Sequence, residues 1–222
     1  MLAVTRMENQ FCVAGVNEAN DWKRPVRLPT YYLLRDDIFQ SGVCVIKNYN
    51  VVRYKSIRSL QNKPQSEDFL VDWSNQPTIT TTLNEQSRLI IFKKIDESKN
   101  IDEINEGIYH YLIENDRSLV MIKPDEILYR TYEPAEGKGF KTRLIFELNN
   151  INYNLSCTDL RWRAYMKDEE NRNTSAQLLK EREVYLTIGL TRRPFQGRIW
   201  PMVVGFHIIP DLENIEIDYN NL

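Results

Sequence analysis

Three stretches of this 222-residue chain set aromatic rings beside basic side chains. The first begins with Trp22, Lys23, Arg24 and Arg27, passes Tyr31 and Tyr32, and continues through Arg53 and Lys55, which interleave with Tyr49 and Tyr54. The second is Arg161-Trp162-Arg163, and the third is Arg192-Arg193, with Phe195 and Arg198 close behind. Flat rings stack on nucleobases while guanidinium and ammonium groups hold phosphates, so this interleaving suits a surface for single-stranded or structured DNA or RNA. Between residues 22 and 58 the only acidic side chains are Asp36 and Asp37, which points to a local positive face. A plainer reading fits the same residues: Trp22 in a core, Arg24 paired with a carboxylate, the rest solvated. Arg, Trp and Tyr also anchor protein interfaces, so the alternative function is a protein–protein adaptor without nucleic-acid affinity of its own. The acidic stretches at 96–116 and 211–218 favour that alternative, because they repel phosphates.

Catalytic signatures are missing. No G-x-x-x-x-G-K-[ST], G-x-S-x-G or H-E-x-x-H occurs in the chain. The two histidines, His110 and His207, lack a neighbouring nucleophile or metal-ligand spacing and read as structural. Gly137-Lys138-Gly139 is too short for a phosphate loop and reads as a hairpin. Asp96, Glu97, Asp102 and Glu103 form an acidic helical region rather than a convergent magnesium site. The expectation is therefore a protein that is not an enzyme and needs no metal or cofactor. Thr158-Asp159 reads as a turn or cap, with the Asp side chain accepting from nearby amides.

The elements that must position these groups are mostly short strands. Phe11–Val16, Trp22–Leu28, Gly42–Lys47 and Phe69–Trp73 suit strands, and their spacing indicates a barrel or sandwich. Pro25 and Pro29 place the second of these at an edge or bulge. The period then changes. A helix follows Asn84, and a second is expected from Asn100, with Glu103 three residues on. In the second, Ile101, Ile104, Ile108 and Leu112 share a face. Strands return at 118–122, 127–132, 140–148 and 151–157, with a hairpin turn at Asn149-Asn150, and again at 184–190 and 199–209. Residues 167–180 suit a loop or a short helix. The fold class is mainly β (α+β), with a first β unit over 1–98 and a helix plus a second β unit over 99–222.

Cys12-Val13-Ala14-Gly15-Val16 followed by Trp22-Lys23-Arg24-Pro25-Val26 resembles the start of the bacterial dual OB-containing domain family. Leu155–Trp162, with its Thr158-Asp159 pair, is similar to a second segment of that family. Tyr185–Leu190 and Gly197–Val204 are similar to its closing strands. The resemblance implies two OB-like β-barrels in one chain. It also implies a nucleic-acid-binding role as an accessory subunit in bacterial defence or conflict systems.

Composition narrows the setting. Twenty-nine Lys and Arg oppose 31 Asp and Glu, for a net charge of −2, so any nucleic-acid contact must use a local patch. Cys12, Cys44 and Cys157 are odd in number and lie far apart, which suits a reduced, cytoplasmic setting. No apolar run approaches the roughly 20 residues of a spanning helix, so no membrane partner is expected.

Overall fold

The computed structural model describes residues 1–7, 10–101, 107–135, 139–194 and 196–212. Strands dominate, and most fall into two sheets. The first sheet contains β1 (Ala3–Met7), β2 (Gln10–Val16) and β3 (Trp22–Val26). After β3 come the four-residue helix α1 (Arg35–Ile38), a ribbon of β4 (Phe39–Gln40) with β5 (Val43–Cys44), and β6 (Asn50–Arg53). The sheet resumes with β7 (Ser56–Ser59) and β8 (Asp68–Val71), while β9 (Thr78–Thr82) pairs with β6. Its order is β1-β2-β3-β8-β7, and the β3–β8 join is parallel.

Helix α2 (Glu85–Ile95) and a 3-10 turn at Ser98–Asn100 lead to α3 (Gly107–Glu114). The second sheet follows: β10 (Leu119–Ile122), β11 (Glu126–Ala135), β12 (Gly139–Leu148) and β13 (Ile151–Cys157). Helices α4 (Leu160–Tyr165) and α5 (Glu169–Glu181) precede β14 (Glu183–Leu190) and β15 (Pro201–Ile209). The order is β10-β14-β15-β13-β12-β11, with β13 and β15 parallel.

Set β10 aside and the two sheets have one topology. Three antiparallel strands run in sequence, a crossover with helix follows, the fifth strand joins the third in parallel, and the fourth lies outermost. This is the Greek-key order of an OB-type barrel. Neither sheet closes into a complete barrel among the described residues. In the second sheet the reason is visible: β10 pairs along β14, on the edge that would otherwise meet β11.

Local chemistry explains many boundaries. Asn84 caps α2, its side chain accepting from the Ser87 amide at 2.8 Å. Asp168 caps α5 through the amides of Glu170 and Asn171, and it turns the ambiguous 167–180 region into a full helix. Asn149 and Asn150 both take positive φ (51° and 65°), the conformation of a two-residue hairpin turn between β12 and β13. Asn100 closes the 3-10 turn, and the next described helix starts at Gly107. The expected partners Asp102, Glu103 and Ile104 lie outside the described residues, while Ile101, Ile108 and Leu112 are wholly buried.

Pro25 is a correction. It lies in a central strand, where β3 changes neighbours. Lys23 is the last residue paired with β2, and Arg24 donates its amide to Glu67 on the β8 side at 2.9 Å. Successive amides point to opposite edges, so the missing Pro25 N–H belongs to the side where pairing has ended.

Strands β1 to β3 of the first sheet bury residues on both faces, while β7 is exposed. Val4, Phe11 and Val13 point into a core with Leu33, Ile38 and Ile46. Ala3, Ala14 and Trp22 point the other way, into a cluster with Phe92, Leu119 and Tyr185. That second cluster draws on residues from both sides of position 98. The third cluster belongs to the second sheet and centres on Phe146, Trp162, Ile188 and Phe206.

Candidate nucleic-acid interface

Alternation along β3 sets the fate of the first aromatic–basic cluster. Trp22 and Arg24 share the face turned toward the second sheet, while Lys23 is exposed on the other. The Trp22 ring is 5% exposed and packs in the cluster shared by the two sheets. Arg24 is 4% exposed, and its Nε donates to Asp68 Oδ1 at 2.6 Å. Asp68 is wholly buried and also accepts from Arg192 Nη1 at 2.8 Å and Nη2 at 3.1 Å. One carboxylate thus ties a strand of the first sheet to the β14–β15 loop of the second. The Arg192 guanidinium also lies 5.0 Å from the Tyr31 ring and 5.9 Å from the Tyr32 ring. Glu67, next in line, accepts the Ser118 and Leu119 amides at 2.6 and 3.0 Å, a second clamp across the same joint.

Other expected contacts are also internal. Arg27 makes a two-point pair with Asp37, with Nε to Oδ2 at 2.9 Å, and lies 5.5 Å from the Trp73 ring. Arg161 donates to Asp211 at 2.6 Å, and Arg88 pairs with the same carboxylate. Both guanidinium groups lie over the Tyr49 ring, at 4.9 and 3.8 Å. Trp162 is 1% exposed and stacks on Phe206 at 4.2 Å. Arg163 is partly buried on α4. Asp159 caps that helix, accepting the Trp162 amide at 2.7 Å. Arg53 and Lys55 are exposed, and Lys55 pairs with Asp72 at 3.1 Å.

Of the expected residues, the fold gathers Arg24, Arg192 and Arg193 around one cavity, where Arg6 joins them. The cavity has a volume of about 550 Å³ and opens between β1–β2 and the β14–β15 loop. Arg27, Arg53, Lys55, Arg161 and Arg163 do not line it, and Phe195 lies outside the described residues. Arg193 and Arg198 are exposed on the 191–200 loop, and Trp200 at its end is 41% exposed. Sequence reasoning did not single out the exposed Trp200 ring as a candidate. Its signal was present: an aromatic ring two residues after Arg198, between two strands.

His207 is wholly buried. Its Nδ1 meets the Tyr49 hydroxyl at 3.2 Å and its Nε2 meets Thr187 Oγ1 at 3.0 Å. Burial, with Arg161 and other positive charges nearby, pushes its pKa down to about 3, so it stays neutral. Among the described residues no group of three or more His, Cys, Asp or Glu side chains is placed to hold a metal. No helix of the described chain is long and apolar enough to cross a membrane.

The repeated strand order and the paired sheets agree with the family comparison, in which the model for the dual OB-containing domain matches residues 1–206. The chain belongs to the dual OB-containing domain family. No curated protein and no solved structure shows significant similarity to it. Within an OB unit, ligands meet the second and third strands and the loops joining strands one to two and four to five. In the first unit of this dual OB chain, the β2–β3 face holding Trp22 and Arg24 packs against the second unit. In the second unit, the loop joining strands four and five is the arginine-bearing 191–200 segment.

Proposed function

We propose that this dual OB chain is a non-enzymatic accessory protein that binds single-stranded or structured nucleic acid. The observation that carries this reading is the 191–200 loop of the second unit. It occupies an OB ligand-loop position and presents exposed Arg193 and Arg198 with the partly exposed Trp200 ring. Lys23 and Arg53 add exposed positive charge on the first unit. The resemblance noted in the sequence implies a role in bacterial defence or conflict systems, and the three free cysteines suit a cytoplasmic setting. The test is fluorescence anisotropy with labelled single-stranded and duplex DNA and RNA across a salt series. The expected result is micromolar or tighter binding that weakens steeply with salt. Arg198→Glu combined with Trp200→Ala should weaken it about tenfold or more, as expected when a stacked base and a phosphate contact are lost. No binding at low salt would overturn the reading.

A protein partner is the second reading. It is favoured by β7, the outer strand of the first sheet, where Ile57 is 57% exposed, and by β9, where Ile79 is 40% exposed. A stable protein complex with no oligonucleotide affinity would select it.

A further inference from the structure

We propose that the cavity between the two OB units is a binding site for one nucleoside phosphate. The volume comes first. At about 550 Å³ it falls within the roughly 300–1,000 Å³ of small-molecule sites. It adjoins the part of the sheet face that Trp22 and its neighbours bury against the second unit. One nucleotide has room in it.

The lining divides by chemistry. Ala3, Ala14, Leu119, Leu190 and Val204 make an apolar wall that suits a ring system. Arg6, Arg24, Arg192 and Arg193 supply positive charge, and no Asp or Glu is among the described lining residues. Asp68 and Glu67 lie behind Arg24 and Arg192, so they hold these guanidinium groups in place without lining the cavity. Planar, fork-shaped donors match phosphate oxygens better than ammonium groups do.

Two donors on these arginines lack a partner. Arg24 Nη2 makes no hydrogen bond and lies 3.9 Å from Glu67 Oε2, and Arg192 Nε is likewise unsatisfied. Buried guanidinium N–H groups are rarely left so, because each forfeits its water without a replacement. Both atoms are sealed from the cavity, so a phosphate there would meet the exposed Arg193 guanidinium, with Arg24 and Arg192 fixed behind it by Asp68. The cavity shares Arg192 and Arg193 with the 191–200 loop but not Arg198 or Trp200, so variants at those two residues test strand binding without altering the cavity.

The experiment is isothermal titration calorimetry of the full chain with the four ribonucleoside 5′-monophosphates, their nucleosides and inorganic phosphate. Expected is saturable one-to-one binding of at least one nucleotide, tenfold or more tighter than its nucleoside or inorganic phosphate alone. Arg193→Glu changes an exposed residue, so it should leave the fold intact while weakening nucleotide binding tenfold or more. A second readout needs no variant. Cys12 lines the cavity and Cys44 does not, although both are partly exposed. Bound nucleotide should slow alkylation of Cys12 and leave Cys44 unchanged. Competition by oligonucleotides with and without a 5′-phosphate separates a strand end from a free nucleotide as the source; success of either supports the site. No nucleotide binding at millimolar concentration would overturn the proposal. So would inorganic phosphate binding as tightly as the nucleotide, or binding that neither protects Cys12 nor responds to Arg193→Glu.

Discussion

The two OB units share a strand order and differ in what fills the crossover between their third and fourth strands. The second unit inserts α4 and α5, and α4 drives Trp162, Tyr165 and Met166 into its core. The first inserts only the four-residue α1, the β4–β5 ribbon and strand β6. Its inner core is correspondingly small, and it takes in Leu160 from α4 of the second unit. The outer face of its sheet is covered by residues of the second unit as well. A small sheet with little core of its own gains much of its stability from what packs on it. The first unit is therefore the dependent partner, and its β2–β3 face, the face that meets ligands in OB folds generally, buries Trp22 and Arg24 in packing.

The largest effect should come from separating the units. Residues 1–98 expressed alone are expected to show no cooperative urea transition by circular dichroism, because the buried residues on both faces of β1 to β3 lose cover. A sharp two-state transition for that fragment would break the comparison. Next is the joint itself. Asp68→Ala leaves Arg24 and Arg192 buried without their carboxylate and should destabilise the whole chain by about 3–5 kcal/mol in urea unfolding. A loss under about 1 kcal/mol would mean that the arginine pair does not hold the units together.

His207 gives a smaller, pH-dependent effect in the same joint. The folded chain keeps it neutral down to about pH 3, whereas the unfolded chain takes up the proton near pH 6.5. Stability from this group is present above pH 6.5 and is lost as pH falls toward 3. Between pH 7.5 and 5, wild type should lose about 2 kcal/mol relative to His207→Asn. Asp159, whose pKa burial raises to about 6, acts in the opposite direction and is common to both proteins, so it cancels in the difference. Equal pH profiles for the two proteins would show that the His207 site tolerates charge. The smallest effect on stability belongs to the free loop. Arg198→Glu should shift unfolding by no more than about 0.5 kcal/mol, and a larger shift would place that residue in the joint rather than on the surface.

Much of the local structure was legible in the residues. Asn84 as a cap, Asn149-Asn150 as a turn and Thr158-Asp159 as a cap all rest on side chains that bond to amides a few positions away. Helix α4 and strand β9 were not legible. The first is short and amphipathic over too few residues, and the second is an exposed run of threonines whose only signal is its pairing with β6. The central place of Pro25 was hidden for a related reason. A proline is compatible with a central strand only where that strand changes neighbours, and this depends on β8, far along the chain.

The sequence by itself determined the mainly-β class, the helical middle and the family, because strand periodicity, turn residues and short motifs act over a few positions. It also marked which residues carry rings and charge. Only the tertiary structure decided which of those groups are buried and paired and which reach solvent. Arg24 and Arg192 look alike in sequence to Arg193 and Arg198, yet the first two meet one buried aspartate and the last two face solvent. The difference lies in where Asp68 ends up, and that position is set by a parallel pairing between strands and by the packing of one sheet on another. A buried charge is held by its partner while an exposed one is left for a ligand, and the location of the partner is a property of the folded chain alone.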